Sequence, residues 1–218
     1  METPFFEIRE CTNPDCLLRI PIEKRVHQGS FCPRCGASMQ VAVPTYQNQA
    51  CSDPGIDINR GMSVLLDNLR SAYNVGSIFR TADGVGISHV YLCGITPSPE
   101  KNPEIEKTSL GAAGHVPWTS HTNALILARK FQEEGSRLIA LECDTRSKPI
   151  YQHKPARDDH EPIVLVVGNE RAGLDPGLIE LCDAVLMLPM IGEKNSLNVA
   201  VAFGIAAYWL RFQDGSGI

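Results

Sequence analysis

The sequence predicts an α/β domain on a largely parallel sheet, preceded by a small module too short to hold together by apolar burial alone. Two observations carry this. From residue 63 onward, short apolar runs of strand length alternate with helical stretches, the pattern of parallel strands joined by crossover helices. Ahead of them, four of the chain's eight cysteines stand in two pairs before residue 36. The composition agrees: 43% of residues are hydrophobic and 21% charged, as in soluble globular chains. A chain of 218 residues can hold one core and an appendage.

The expected divisions are a cysteine module at 1–43, a linker at 44–62 and the α/β domain at 63–218. Cys11 and Cys16 form the first pair, Cys32 and Cys35 the second, with 15 residues between the pairs. Four thiolates so arranged suit tetrahedral coordination of Zn²⁺. Four unrelated reduced thiols are the alternative, and the paired spacing favours zinc. His27 is a further possible ligand, though with four cysteines present it reads as a surface side chain. Gly36 suits a tight turn after the second pair. β-like stretches at 17–22 and 39–43 fit a zinc ribbon whose metal supplies much of the folding energy. A closed site of four cysteines leaves no open coordination position, so the metal is structural. Residues 44–62 are rich in Pro, Gly, Asn and Asp without periodicity, hence the linker.

In the larger part, strands are expected at 64–66, 90–93, 138–141, 163–167 and 184–188. Helices are expected at roughly 75–84, 121–134, 176–182 and from 196 onward. Ligands of such sheets gather beyond the carboxyl ends of the strands, so the informative residues follow each apolar run. After the first come Asn68, Asn74 and Arg80, with Asn74 placed to cap a helix and Ser77, Arg80 and Thr81 on one face. An arginine beside two asparagines at such a junction suits an anion or hydroxyl site. After 163–167 comes Gly168-Asn169-Glu170, where the glycine permits close backbone approach to a ligand. Glu170 could cap a turn, pair with an arginine or contact substrate. After 184–188 a loop leads to Ser196-Leu197-Asn198 and a nearly all-apolar stretch. Ser196 suits the helix cap there, which leaves Asn198 surplus. No G-x-G-x-x-G, Walker A, H-E-x-x-H or G-x-S-x-G pattern occurs, so the sites those motifs build are unsupported.

The net charge of −5 argues against a polyanion partner only in bulk, since a local basic face can act within an acidic chain. The loop 146–157 is one candidate, with Arg146, Lys148, Lys154 and Arg157 around Tyr151; a solvated loop is the equal alternative. No apolar run is long enough to cross a bilayer, and the first residues lack the apolar core of a secretory signal. A soluble, cytoplasmic protein without a membrane partner is therefore expected.

Together the three junctions resemble the SpoU family of RNA 2′-O-ribose methyltransferases, within the SPOUT superfamily. The matching stretches are N-x-G-x-x-x-R-x-A at 74–82, G-N-E-x-x-G-L at 168–174 running on to Leu188-Pro-Met190, and S-L-N-V-A-V-A at 196–202. The resemblance implies a C-terminal trefoil knot, which chain-path rules alone would reject. It implies S-adenosylmethionine held by Gly168, Leu188, Met190 and Leu197, with Leu141 added. It places Asn74, Arg80, Glu170, Ser196 and Asn198 around the methyl transfer. It also implies a tRNA or rRNA substrate and a homodimer whose active site forms near the subunit interface. Arg80 is the family's candidate base, but a guanidinium holds its proton far above neutral pH, which favours stabilisation of the developing alkoxide over proton abstraction. Competing readings are methylation of a base, RNA binding without turnover, and a zinc–thiol redox switch in the cysteine module.

Overall fold

A computed structural model describes residues 5–26, 29–47, 61–153 and 161–212. The chain divides into two compact units, Met1–Ile56 and Asp57–Ile218.

The first unit is a three-stranded antiparallel sheet, β1 (Phe5–Cys11), β2 (Arg19–Glu23) and β3 (Met39–Gln47), in the order β2-β1-β3. β1 alternates apolar and polar residues only briefly, over Phe6-Glu7-Ile8-Arg9, and the buried position there falls on the charged side chain. Its Glu7 is buried, held by Arg9 at 2.6 Å and Lys24 at 3.6 Å. Leu17, expected in a strand, instead adopts φ 48° in the turn after Cys16. β3 runs on through residues 44–47, where a linker was expected, because those residues pair with Phe5 and Phe6. Of the rest of that linker, 48–60 lies outside the described residues, as does His27, while Met62 already belongs to the first strand of the second unit.

The second unit opens with β4 (Met62–Asp67) and α1 (Ala72–Val85). β5 (Val90–Cys93), α2 (Glu104–Ser109), β6 (Trp118–His121) and α3 (Ala124–Glu133) follow. Then come β7 (Arg137–Leu141), β8 (Lys148–Pro149) and β9 (Ile163–Val167). α4 (Pro176–Leu181), β10 (Ala184–Met187) and α5 (Val199–Phe212) complete it. The seven strands pair only in parallel, in the order β6-β5-β4-β9-β7-β10-β8. β9 is inserted between β4 and β7, and after β10 the chain returns to set α5 against α1, β7 and β9. This is the SPOUT-type arrangement that the resemblance implies.

Strand alternation divides the core in two. Val64, Leu66, Ile139 and Leu165 face one way, against Ile78 and Phe79 of α1 and Phe203 of α5. Leu65, Leu138, Val164 and Val166 face the other, against Leu127 and Phe131 of α3 and Leu178 of α4. Because both faces are covered, these strands read in sequence as unbroken apolar runs. Phe79 and Phe203 are fully buried, and truncating either to alanine costs about 3–5 kcal/mol.

Several boundaries differ from expectation, each for a local reason. α1 starts earlier because Ser71, not Asn74, is its N-cap, accepting from the Asn74 N–H at 3.3 Å. The helix expected at 121–134 begins only after Asn123, whose side chain caps it; residues before it form β6. α5 begins at Val199, so residues 196–198 are not helical. The 146–157 stretch contains β8 and a 3₁₀ turn at Ile150–Gln152. There Arg146 is paired with Asp144 at 3.4 Å, while Lys154 and Arg157 lie outside the described residues.

Candidate functional site

The loops after β7, β9 and β10 enclose an open cleft of about 860 Å³ at the carboxyl ends of those strands, where ligands of open α/β sheets bind. Leu141, Gly168, Leu188, Met190 and Leu197 all line it, as do Asn74, Glu170, Ser196 and Asn198. Of the ten residues that the resemblance assigns to donor binding and methyl transfer, only Arg80 is absent from the lining. It stands six positions beyond Asn74 in α1, hence on another face of the helix, and is exposed without an ion pair among the described residues.

Gly168 is required by the chain itself. A Cβ there would lie 2.5 Å from the carbonyl carbon of Gly173 and the nitrogen of Leu174. The 168–174 loop closes on itself: Asn169 and Gly173 exchange two backbone hydrogen bonds at 3.0 and 2.9 Å, with Gly173 at φ 74°. The Asn169 carboxamide oxygen accepts from the N–H of Arg171 and of Ala172, both at 3.0 Å. Its nitrogen donates to the Asn68 carbonyl at 2.5 Å.

Glu170 neither pairs with an arginine side chain nor caps its own loop. Its carboxylate reaches the start of α1 and accepts from the N–H of Arg70 at 2.9 Å and of Ser71 at 3.0 Å. Asn74 Nδ2 also donates to it, at 3.0 Å. Burial pushes this carboxyl up, but the Ser71 and Arg70 N–H donors and the Asn74 amide outweigh that and hold it below its ordinary value.

The expectation for the last junction is reversed. Asn198 is the cap of α5: its Oδ1 accepts from the N–H of Ala200 at 2.9 Å and of Val201 at 3.4 Å, and its carbonyl accepts the first helical bond from Ala202. Its amide Nδ2 donates to Asn74 Oδ1 at 3.0 Å. Ser196 is the surplus residue, exposed in the cleft wall without a hydrogen bond among the described residues. A continuous chain, Asn198 to Asn74 to Glu170, thus joins all three junctions at one side of the cleft.

Glu142 escaped the sequence reading. It lines the cleft directly after β7 and accepts from the N–H of Cys143 and of Leu174, each at 2.9 Å. It so ties the β7 end to the loop after β9. Its position just after an apolar run was the available signal.

In the first unit, the sulfurs of Cys11, Cys16, Cys32 and Cys35 all lie within 4.8 Å of one another. Cys11 and Cys35 are 3.4 Å apart, and Cys16 and Cys32 3.8 Å. A tetrahedron with Zn–S bonds of about 2.3 Å has S···S edges of about 3.8 Å, so the four thiols are spaced for one ion. Gly36 turns at φ 75° and donates its N–H to the Cys32 carbonyl at 2.9 Å. Burial raises the Cys32 thiol, but the N–H groups of Cys35 and Arg34 pull it down to about 7, while burial pushes its neighbour Cys11 up to about 12; four crowded thiols ionise together only against a cation.

Comparison with known proteins agrees with this geometry. Residues 61–208 match the SpoU rRNA Methylase family. The chain is 31% identical over 152 residues to the 23S rRNA (guanosine-2′-O-)-methyltransferase RlmB of Pectobacterium atrosepticum, covering 70% of this chain and 60% of that protein. It is 32% identical over 145 residues to RlmB of Ralstonia nicotianae, covering 66% and 56%. The chain thus spans little more than half of these curated relatives. Among solved structures it is similar to an AdoMet-bound rRNA methyltransferase from Sinorhizobium meliloti, with a TM-score of 0.63 and 30% identity over 69% of this chain and 56% of that one. It is also similar to the A. aeolicus TrmH/SpoU tRNA modifying enzyme, with a TM-score of 0.62 and 29% identity over 71% and 75%. No helix among the described residues is long and apolar enough to cross a membrane. With the family matched over residues 61–208, and the three motif junctions meeting at one cleft, this chain belongs to the SpoU rRNA methylase family.

Proposed function

We propose that the protein transfers the methyl group of S-adenosylmethionine to a ribose 2′-hydroxyl of tRNA or rRNA. The observation that carries this reading is the Asn198–Asn74–Glu170 chain of hydrogen bonds at the edge of the cleft. The cleft suits the donor: it is large enough for an adenosine and a methionine, within the range of small-molecule sites. Leu141, Leu188, Met190 and Leu197 give it apolar walls, and Gly168 and Glu142 supply polar groups at its base. The bound donor would supply an electrophilic methyl group on a sulfonium.

The chain's own residues then align the acceptor. Asn74 is fixed from both sides, its oxygen engaged by Asn198 and its nitrogen by Glu170, and such pre-organisation lowers the entropic cost of in-line transfer. Ser196, exposed in the wall, is free to bond a ribose hydroxyl. Glu170 acts as a positioning residue through Asn74. Arg80, outside the cleft of its own chain, stabilises the developing alkoxide from a subunit interface. The interface reading is supported by a shallow groove of about 470 Å³ between α1 and α5, lined by Ser77, Thr81, Val201, Ile205 and Tyr208. Val201, Ile205 and Tyr208 are each about half exposed, an apolar strip suited to a second copy of the chain. In the first unit, the four cysteines hold a structural Zn²⁺.

The test is incubation with methyl-labelled donor and bulk RNA, followed by alkaline hydrolysis. A methylated 2′-oxygen cannot attack the neighbouring phosphate, so label in alkali-resistant dinucleotides is expected. Label only in mononucleotides would indicate base methylation. RNA binding without any transfer would indicate an idle module.

A further inference from the structure

The clamp that positions Glu170 does something else as well. Asn169 bonds the Asn68 carbonyl and Glu170 bonds the Arg70 N–H, so two loops distant in sequence are fastened beside each other. Each loop carries one exposed arginine at this seam, Arg70 directly before the α1 cap and Arg171 directly after Glu170. Arg171 lines the cleft.

Neither arginine forms an ion pair among the described residues, whereas Lys107, Lys130 and Arg146 each lie against a carboxylate. The one carboxylate in the seam, Glu170, is occupied by the two N–H groups and the Asn74 amide. One guanidinium in the cleft lining and one on the adjoining loop therefore stand without a counter-charge among the described residues, on a chain of net charge −5. A guanidinium presents a planar fork of donors that matches a phosphate.

We propose that Arg70 and Arg171 form a grip for backbone phosphates of the RNA beside the nucleotide that enters the cleft. The proposal rests on the RNA methyltransferase reading and deepens it by naming what holds the strand. Contacts of this kind set register and carry no base information. The clamp itself uses the backbone of Arg70 and the side chains of Asn169 and Glu170, so removing the two guanidinium groups leaves it standing.

The test measures binding of an end-labelled, random-sequence 20-nucleotide single-stranded RNA by fluorescence anisotropy across a KCl series. Wild type, Arg70→Ala, Arg171→Ala, the double variant and Arg129→Ala, an exposed arginine of α3, are compared. Each lost phosphate contact should flatten the slope of log K against log [KCl] by about 0.7. The double variant should therefore lose about 1.4 in slope and bind at least tenfold more weakly at low salt. Arg129→Ala should match wild type, and Arg70→Ala should keep its calorimetric affinity for S-adenosylmethionine within twofold. Wild-type slope and affinity in the double variant would overturn the grip while leaving the enzyme reading intact. Failure of the wild type to bind the 20-mer at any salt would overturn the grip, and failure to bind bulk tRNA and rRNA as well would overturn both.

Discussion

The carboxamide of Asn198 donates from Nδ2 to Oδ1 of Asn74 at 3.0 Å, while its own Oδ1 caps α5. One side chain thus starts the last helix and fixes the first motif, and its two roles are separable. Asn198→Ala should lose the cap and about 1 kcal/mol of stability. Asn198→Asp keeps an acceptor for the cap but no donor for Asn74. It should melt close to wild type and lose at least tenfold in turnover. Thermal melts and steady-state rates on the two variants check this; equal turnover in Asn198→Asp and wild type would break the link between network and catalysis.

Glu170 has a folded-state pKa held below its ordinary value of 4.5. A depressed carboxylate contributes stability above its unfolded pKa and loses it as pH falls through the folded one. Wild type should therefore exceed Glu170→Gln in stability at pH 7, with the gap closing below about pH 4.5. The group is half-buried and open to water through the cleft, so the gap should stay under about 1 kcal/mol. Denaturant melts of both proteins at pH 7 and at pH 3.5 measure it.

The four sulfurs at tetrahedral spacing lead to a stoichiometry. Elemental analysis of protein prepared without chelator should find one zinc per chain. A strong chelator, or Cys32→Ser, should unfold the three-stranded sheet while the α/β unit keeps its own melting transition. Retention of metal by Cys32→Ser at wild-type affinity would exclude the four-cysteine site.

Arg80 lies outside the cleft of its own chain, and this has a consequence for assembly. Arg80→Ala and Asn74→Ala should each abolish turnover. If the active site is shared across an interface, co-refolded mixtures of the two should recover up to about a quarter of wild-type activity, through one intact composite site in half of the dimers. The recovery should vanish in a further variant, Ile205→Glu, that makes the protein monomeric by sedimentation. No recovery from mixtures that do dimerise would place Arg80 in its own chain's site.

What could be read from the sequence follows from burial. β9 and β7 are covered on both faces, so they stand out as apolar runs. β6, with its exposed Thr119 and Ser120, and the six-residue α2 carry no such signal. β8 is a strand only because β10 lies beside it. At the site, the three junctions were visible as polar residues after strands, yet the tasks of single residues were not. Ser196 and Asn198 are equally good caps by type, and only the path of the chain decides that Asn198 serves. Gly168 suggested room for a ligand, but the neighbour its Cβ would strike is the chain's own backbone at Gly173. Glu170 finds its partners at Arg70 and Ser71, a separation of about 100 residues that no local pattern encodes. Glu142 was overlooked because a glutamate after a strand looks like any solvated acid until its two backbone partners are seen.

The most direct test of the central claim is mass spectrometry of nucleosides from RNA treated with trideuteromethyl S-adenosylmethionine. The labelled methyl should leave with the ribose fragment of a single nucleoside species, and Asn74→Ala protein should give none. A label that stays with the base, or RNA that remains unlabelled with donor-competent wild-type protein, would contradict ribose 2′-O-methylation.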